Sequence, residues 1–121
     1  MNTLAILTRS FTLKIPCRCG SLIVDGTDYL PNKAHLTPDQ GWFNVFNTID
    51  SAIIDSIFNG KLSKDDAYMH ARKIVQTPTR TMWQCGTCGR LFIDSQDGSL
   101  QCFSPEDPEK GKDILALRNS V

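Results

Sequence analysis

Two hydrophobic periods divide this chain. Phe11-Thr12-Leu13-Lys14-Ile15 alternates apolar and polar side chains, the two-residue period of a half-buried strand, and Pro16 stops it. Ser21-Leu22-Ile23-Val24-Asp25 reads as the returning strand, closed by the turn-forming Asp25-Gly26. Thr81-Met82-Trp83-Gln84, Leu91-Phe92-Ile93-Asp94 and Ser99-Leu100-Gln101-Cys102-Phe103 are strand-like again, the last two joined through Gln96-Asp97-Gly98. Between these two sets the period changes. Trp42, Val45, Phe46, Ile49, Ile53 and Ile57 recur at three- and four-residue steps, and Ala67, Tyr68, Ala71, Ile74 and Val75 form a narrower stripe, which together predict two amphipathic helices.

The flanking residues supply starts and stops. Thr37-Pro38-Asp39-Gln40 offers a threonine cap, proline at the first helical position and glutamine three residues after the cap, and Asn59-Gly60 offers the stop. Ser63 caps the second helix, Asp65 and Asp66 suit its positive N-terminal end, and Pro78 closes it. Thr27 to Leu36 is polar and interrupted by Pro31, so an ordered loop is expected there. Residues 1–10 fit no single element, a further edge strand being one option. Ser104 to Glu109 reads as a solvated acidic loop before a short segment from Lys112 to Arg118. The expected fold class is α+β: short antiparallel strands forming a ribbon, with a two-helix hairpin inserted at about 37–76 between ribbon halves at about 11–25 and 81–103. One domain over residues 1–121 suits this length.

The ribbon halves each carry a close cysteine pair followed by glycine, Cys17-Arg18-Cys19-Gly20 and Cys85-Gly86-Thr87-Cys88-Gly89. Two residues between cysteines let both sulfurs face one ion, and the glycine supplies the positive φ of the turn. The first pair is one residue shorter than that spacing. Four thiolates suit a closed, tetrahedral, structural zinc site, with iron the chemical runner-up. The metal ligands are therefore expected at Cys17, Cys19, Cys85 and Cys88, with disulfides as the competing reading in an oxidising compartment. Cys102, the fifth cysteine, reads as a small buried hydrophobe, or else as a substitute ligand or nucleophile. His35 and His70 have no partner at ligand spacing.

Composition narrows the classes. Apolar residues make up 40% and charged residues 21%, ordinary for a globular chain, and thirteen basic side chains cancel thirteen acidic ones. Zero net charge disfavours a nucleic-acid partner. The apolar opening Met1 to Leu7 has no basic residue before it and is too short for an export signal or a membrane span, so a cytoplasmic location without membrane contact is expected.

On its two knuckles and flanking strands the chain resembles a split zinc ribbon of the rubredoxin-like type. More broadly, with Asp25-Gly26-Thr27-Asp28-Tyr29-Leu30-Pro31 and Lys33-Ala34-His35, it resembles small bacterial proteins that include immunity proteins of toxin–immunity pairs. That resemblance implies a zinc-stabilised module that binds a protein partner such as a toxin. Asp94, Asp97, Glu106, Asp107 and Glu109 form the candidate partner surface, able to meet a basic face. A nucleic-acid-binding ribbon is the alternative, with Lys14, Arg18, Arg80 and Arg90 near Trp83 and Phe92. A small metalloenzyme is the second. Neither a phosphate-cradling glycine loop nor a nucleophile elbow is present, so no catalytic residue is expected.

Overall fold

The computed structural model describes residues 12–118, so Phe11 and any element within residues 1–10 lie outside the described part. The fold is mixed α and β. Its order is β1 (Leu13–Pro16), β2 (Leu22–Asp25), β3 (Lys33–Leu36), helix α1, helix α2 (Lys64–Gln76), β4 (Arg80–Gln84), β5 (Leu91–Asp94) and β6 (Leu100–Phe103). Helix α1 is continuous through an α-helical stretch Asp39–Thr48, π-turns Ile49–Ile54 and a last turn Asp55–Phe58. Strands β1 and β2 make one sheet, and the second has the order β3-β4-β5-β6. The described residues pack as two compact units, one of residues 12–34 with 81–118, the other His35–Arg80.

In the first unit β1 and β2 pair antiparallel, with Ile15 opposite Ile23. Strand β4 runs antiparallel to β5, with Trp83 opposite Phe92, and β5 antiparallel to β6, with Phe92 opposite Cys102. Ile15, Ile23, Trp83 and Phe92 are buried in one cluster with Cys17 and Cys85, with Cys88 packed against it. The alternating pattern thus turns Ile15 and Ile23 inward and leaves Leu22 and Val24 exposed on the other face, while Leu13, on the face of Ile15, is exposed at the start of its strand. The Trp83 indole N–H donates to Asp25 Oδ2 at 2.9 Å, and the same oxygen pairs with Lys33 Nζ at 2.8 Å. A large aromatic is thereby buried with its polar atom satisfied.

The second unit departs from expectation at its start. The hydroxyl of Thr37 caps nothing and lies 3.4 Å from that of Thr79. Pro38 occupies the cap position with extended ψ of 145°, and its carbonyl accepts from Gly41 N–H at 2.9 Å. The expected loop from Thr27 to Leu36 also ends differently, its last four residues forming β3. Ser63 does cap α2, accepting from Asp66 N–H at 3.2 Å. At the end of α1, Gly60 has φ of 72°, and the bonds from Gly60 N–H to Ile57 O and from Lys61 N–H to Ser56 O form a Schellman stop.

The π-turns have a cause in the sequence. Val45, Ile49, Ile53 and Ile57 stand four residues apart. In an α-helix every fourth residue overshoots a full turn by about 40°, so a row of that spacing would wind off the packed face. Across Ile49–Ile54 the hydrogen bonds reach five residues back, as from Asp55 N–H to Asp50 O. Such wider turns rotate the row the other way and hold it toward α2 as far as Ile53, while Ile57 beyond them is exposed. Ile53 and Ala67 are the buried residues of this unit.

Candidate metal centre

Each knuckle is built by the same two closures. In the second, Cys85 N–H bonds Arg90 O at 2.9 Å and Gly89 N–H bonds Cys85 O at 2.8 Å. In the first, Cys17 N–H bonds Ser21 O at 2.9 Å and Gly20 N–H bonds Cys17 O at 3.0 Å. The missing residue between Cys17 and Cys19 shortens both closures by one position, so the tighter turn aims its two sulfurs as the longer one does. Gly20 and Gly89 take φ of 98° and 84°, in the left-handed region where a side chain would be strained. Ser21 Oγ donates to Thr87 Oγ1 at 2.9 Å, joining the knuckles beside the sulfurs.

The four sulfurs of Cys17, Cys19, Cys85 and Cys88 lie within 4.8 Å of one another. Cys17 Sγ is 3.5 Å from Cys88 Sγ and Cys19 Sγ is 3.6 Å from Cys85 Sγ, each contact crossing between knuckles. A tetrahedral ion with bonds of about 2.3 Å to sulfur requires sulfur–sulfur edges of about 3.8 Å, so the set fits one zinc-sized ion. All five cysteines of the chain are free thiols. Cys17 and Cys85 are buried, Cys88 is half-buried and Cys19 faces solvent.

The surroundings treat the sulfurs unequally. Burial pushes the Cys17 thiol up to about 12. Hydrogen bonds from Ser21, through its hydroxyl and its backbone N–H, bring Cys19 down to about 6. Burial works against the Cys88 thiolate, but the backbone N–H and guanidinium of Arg90 outweigh it and lower its value. Arg90 Nη1 lies 3.3 Å from Cys88 Sγ and its Nε donates to Ser104 Oγ at 3.2 Å. The guanidinium is held above its ordinary range in return, chiefly by that sulfur. Four thiolates around a divalent cation carry excess negative charge, and a fixed cation against one sulfur offsets part of it.

Gln84, buried beside Cys85, ties the second knuckle to the C-terminal segment. Its side-chain amide donates to Gly89 O at 3.2 Å and Gly111 O at 2.6 Å, and its Oε1 accepts from Ile114 N–H at 3.0 Å. Its backbone N–H donates to Asn32 O at 2.8 Å, and Asn32 Nδ2 donates to Gln84 O at 3.1 Å. Sequence reasoning passed over Gln84, since a lone glutamine at a strand end carries no signal. Arg90 was visible only as a charge near a knuckle.

The remaining candidates lie outside the tetrad. Cys102 is exposed on β6, not buried as expected, because β6 is the outer strand of its sheet and all four of its residues face solvent. His35 and His70 are exposed. Among the candidate partner-binding carboxylates, Asp94 accepts from Thr81 N–H at 3.2 Å, and Asp97 accepts from Ser99 N–H and from the hydroxyls of Ser95 and Ser99. Those bonds, the Ser95 hydroxyl foremost, hold Asp97 well below the carboxylate range. Asp107 accepts from Glu109 N–H at 3.1 Å, while Glu106 and Glu109 are exposed. Among the described residues no helix is long and apolar enough to cross a membrane.

No curated protein and no solved structure matches this chain. A family model described as Domain of unknown function (DUF8617) matches residues 13–107, a span that holds both knuckles and both helices, and the chain belongs to that family.

Proposed function

We propose that the protein is a zinc-stabilised module for binding another protein. The observation that carries the reading is the sulfur tetrad, drawn from segments far apart in sequence and spaced for one tetrahedral ion. Cys17, Cys19, Cys85 and Cys88 would hold the metal, which would act as a cross-link. Four protein ligands fill a tetrahedron and leave no position for a reacting water, so the reading is a structural site and not a metalloenzyme. Zinc is preferred to iron as the usual occupant of structural four-cysteine sites. An immunity protein that occupies a bacterial toxin is the finer form that the resemblance implies, with a cytoplasmic location.

The nucleic-acid alternative is weakened by where its residues are used. Trp83 and Phe92 are buried and cannot stack on bases, and Arg90 is engaged with Cys88 and Ser104. Elemental analysis of purified protein tests the metal, with about one zinc per chain expected. Affinity capture from the native host tests the binding. Recovery of a stoichiometric protein partner is expected, and a salt-sensitive nucleic acid in its place would overturn the reading.

A further inference from the structure

The helical unit buries little of what its sequence makes apolar. Alongside the inward row of α1 runs a second row one position off, Trp42, Phe46, Asp50, Ile54 and Phe58, also four residues apart. Ile57, three positions after Ile54 and next to Phe58, is exposed as well, at 45%. Trp42 and Phe46 meet edge to face at 5.1 Å between ring centres, which places them on one side of the helix. Their exposures are 48% and 46%, with 55% at Ile54, 92% at Phe58 and 69% at the adjacent Phe43. Taking about 200 Å² for each large side chain, this face offers roughly 600 Å² of apolar surface, near the ~800 Å² per partner of a specific interface. It also reaches the upper end of what a monomer leaves open.

The charges on α1 say what kind of partner fits. Asp39, Asp50 and Asp55 are its charged residues, and residues 37–60 contain no lysine or arginine. Asp39 stands one turn before Trp42, Asp50 lies within the outer row, and Asp55 follows Ile54. None of the three takes part in an ion pair among the described residues. A second copy related by a two-fold axis would set Asp50, near the middle of the helix, against itself. Phosphate backbones and anionic lipid are repelled by the same carboxylates. We propose that the outer face of α1 docks a cationic amphipathic helix of a partner protein, whose apolar stripe covers the Trp42–Phe58 row while its lysines and arginines meet the three aspartates. This deepens the protein-binding reading and rests on it.

The test uses the full metal-bound chain and two labelled helical peptides of one leucine pattern, one with lysine and the other with glutamate on the polar face. Fluorescence anisotropy is expected to show the lysine peptide binding at least about tenfold more tightly than the glutamate peptide, the gap narrowing with salt. Phe46→Glu with Phe58→Glu should weaken binding by about tenfold or more, with circular dichroism confirming the helices. Asp39→Asn, Asp50→Asn and Asp55→Asn together should remove most of the preference for lysine. No binding, or equal binding of both peptides, overturns the proposal. So does a dimer in sedimentation equilibrium that Phe58→Glu dissolves, since a second copy would then own the face. Binding that survives the α1 variants but is lost in Glu106→Gln with Glu109→Gln overturns this surface and leaves the protein-binding reading standing.

Discussion

Gln84→Met removes the side-chain amide that joins the second knuckle to the C-terminal segment while keeping an unbranched side chain of similar length. The side chain makes three hydrogen bonds, to Gly89 O, to Gly111 O and from Ile114 N–H. Each such bond contributes about 1 kcal/mol net. The groups left behind differ: Gly111 and Ile114 are exposed and can turn to water, whereas Gly89 is buried and its carbonyl would be left without that donor. An orphaned buried group costs about 1–3 kcal/mol, so the variant is expected to lose about 2–4 kcal/mol. The added apolar burial offsets part of this. Gln84→Glu should be at least as damaging, because it keeps the acceptor for Ile114 but sets a carboxylate against two carbonyl oxygens. Urea unfolding of the metal-bound protein measures the loss, and hydrogen exchange at the Ile114 amide localises it, with protection falling more in Gln84→Met than in Gln84→Glu, which retains the acceptor. A Gln84→Met protein within about 0.5 kcal/mol of the parent, with Ile114 protection unchanged, would refute the role assigned to this side chain.

Removal of the metal by a chelator should abolish the near-ultraviolet dichroism of Trp83, because an ion on the four sulfurs would cross-link the two knuckles that pack in one cluster with it. Cys85→Ser, at a buried ligand, should lose metal and fold together, whereas Cys102→Ser, at an exposed position, should stay within about 0.5 kcal/mol of the parent. The reverse ranking would show the ligand assignment to be wrong. Arg90→Ala should lower metal affinity by about 10–100-fold in competition with a chromophoric chelator, and Arg90→Lys should recover part of it. At Asp97 the folded value is depressed, so its turn stabilises the fold above the ordinary carboxylate range near pH 3.9, and the contribution fades as pH falls from there toward the folded value. Carboxyl NMR titration should find Asp97 protonating well below the ordinary carboxylate range, and Asp97→Asn should flatten the acid limb of stability.

The knuckles were legible because their chemistry is local: two sulfurs, a short turn and a following glycine are all within reach of a sequence window. Even the irregular Cys17–Cys19 spacing needed only a turn one residue tighter. The strands next to them were legible for the same reason, since alternation in Leu13–Ile15 or Leu91–Asp94 is written residue by residue. Strand β3 was not, because the alternation in Lys33-Ala34-His35-Leu36 lasts only four residues and follows directly on the turn-forming Pro31-Asn32. The Thr37 cap failed because the residue types were right but Pro38 itself took the cap position. Gln84 acts through partners as far as thirty residues away, and Arg90, though it meets Cys88 two positions before it, is fixed there by Ser104 at another strand's end, so no local pattern announces either.

Helix α1 shows where periodicity stops being informative. The sequence reading grouped Trp42, Val45, Phe46, Ile49, Ile53 and Ile57 into one stripe, as the steps of three and four residues invite. The structure resolves that stripe into two rows, each of period four and offset by one position. A period of four is neither 3.6 nor the 3.5 of a coiled coil, and an unbroken α-helix could not keep either row straight. The π-turns at Ile49–Ile54 take back part of the drift in the middle of a helix about 30 Å long. The first row packs on α2 through Ile53 and comes into the open at Ile57, 45% exposed, while the other is exposed from Trp42 to Phe58, reaching 92% there. If the inward row alone were under constraint, residues such as Phe46, Ile54 and Phe58 could be polar at no cost to packing. Their apolar character is therefore the part of this helix that folding within the chain leaves unexplained and that a cationic partner helix would explain.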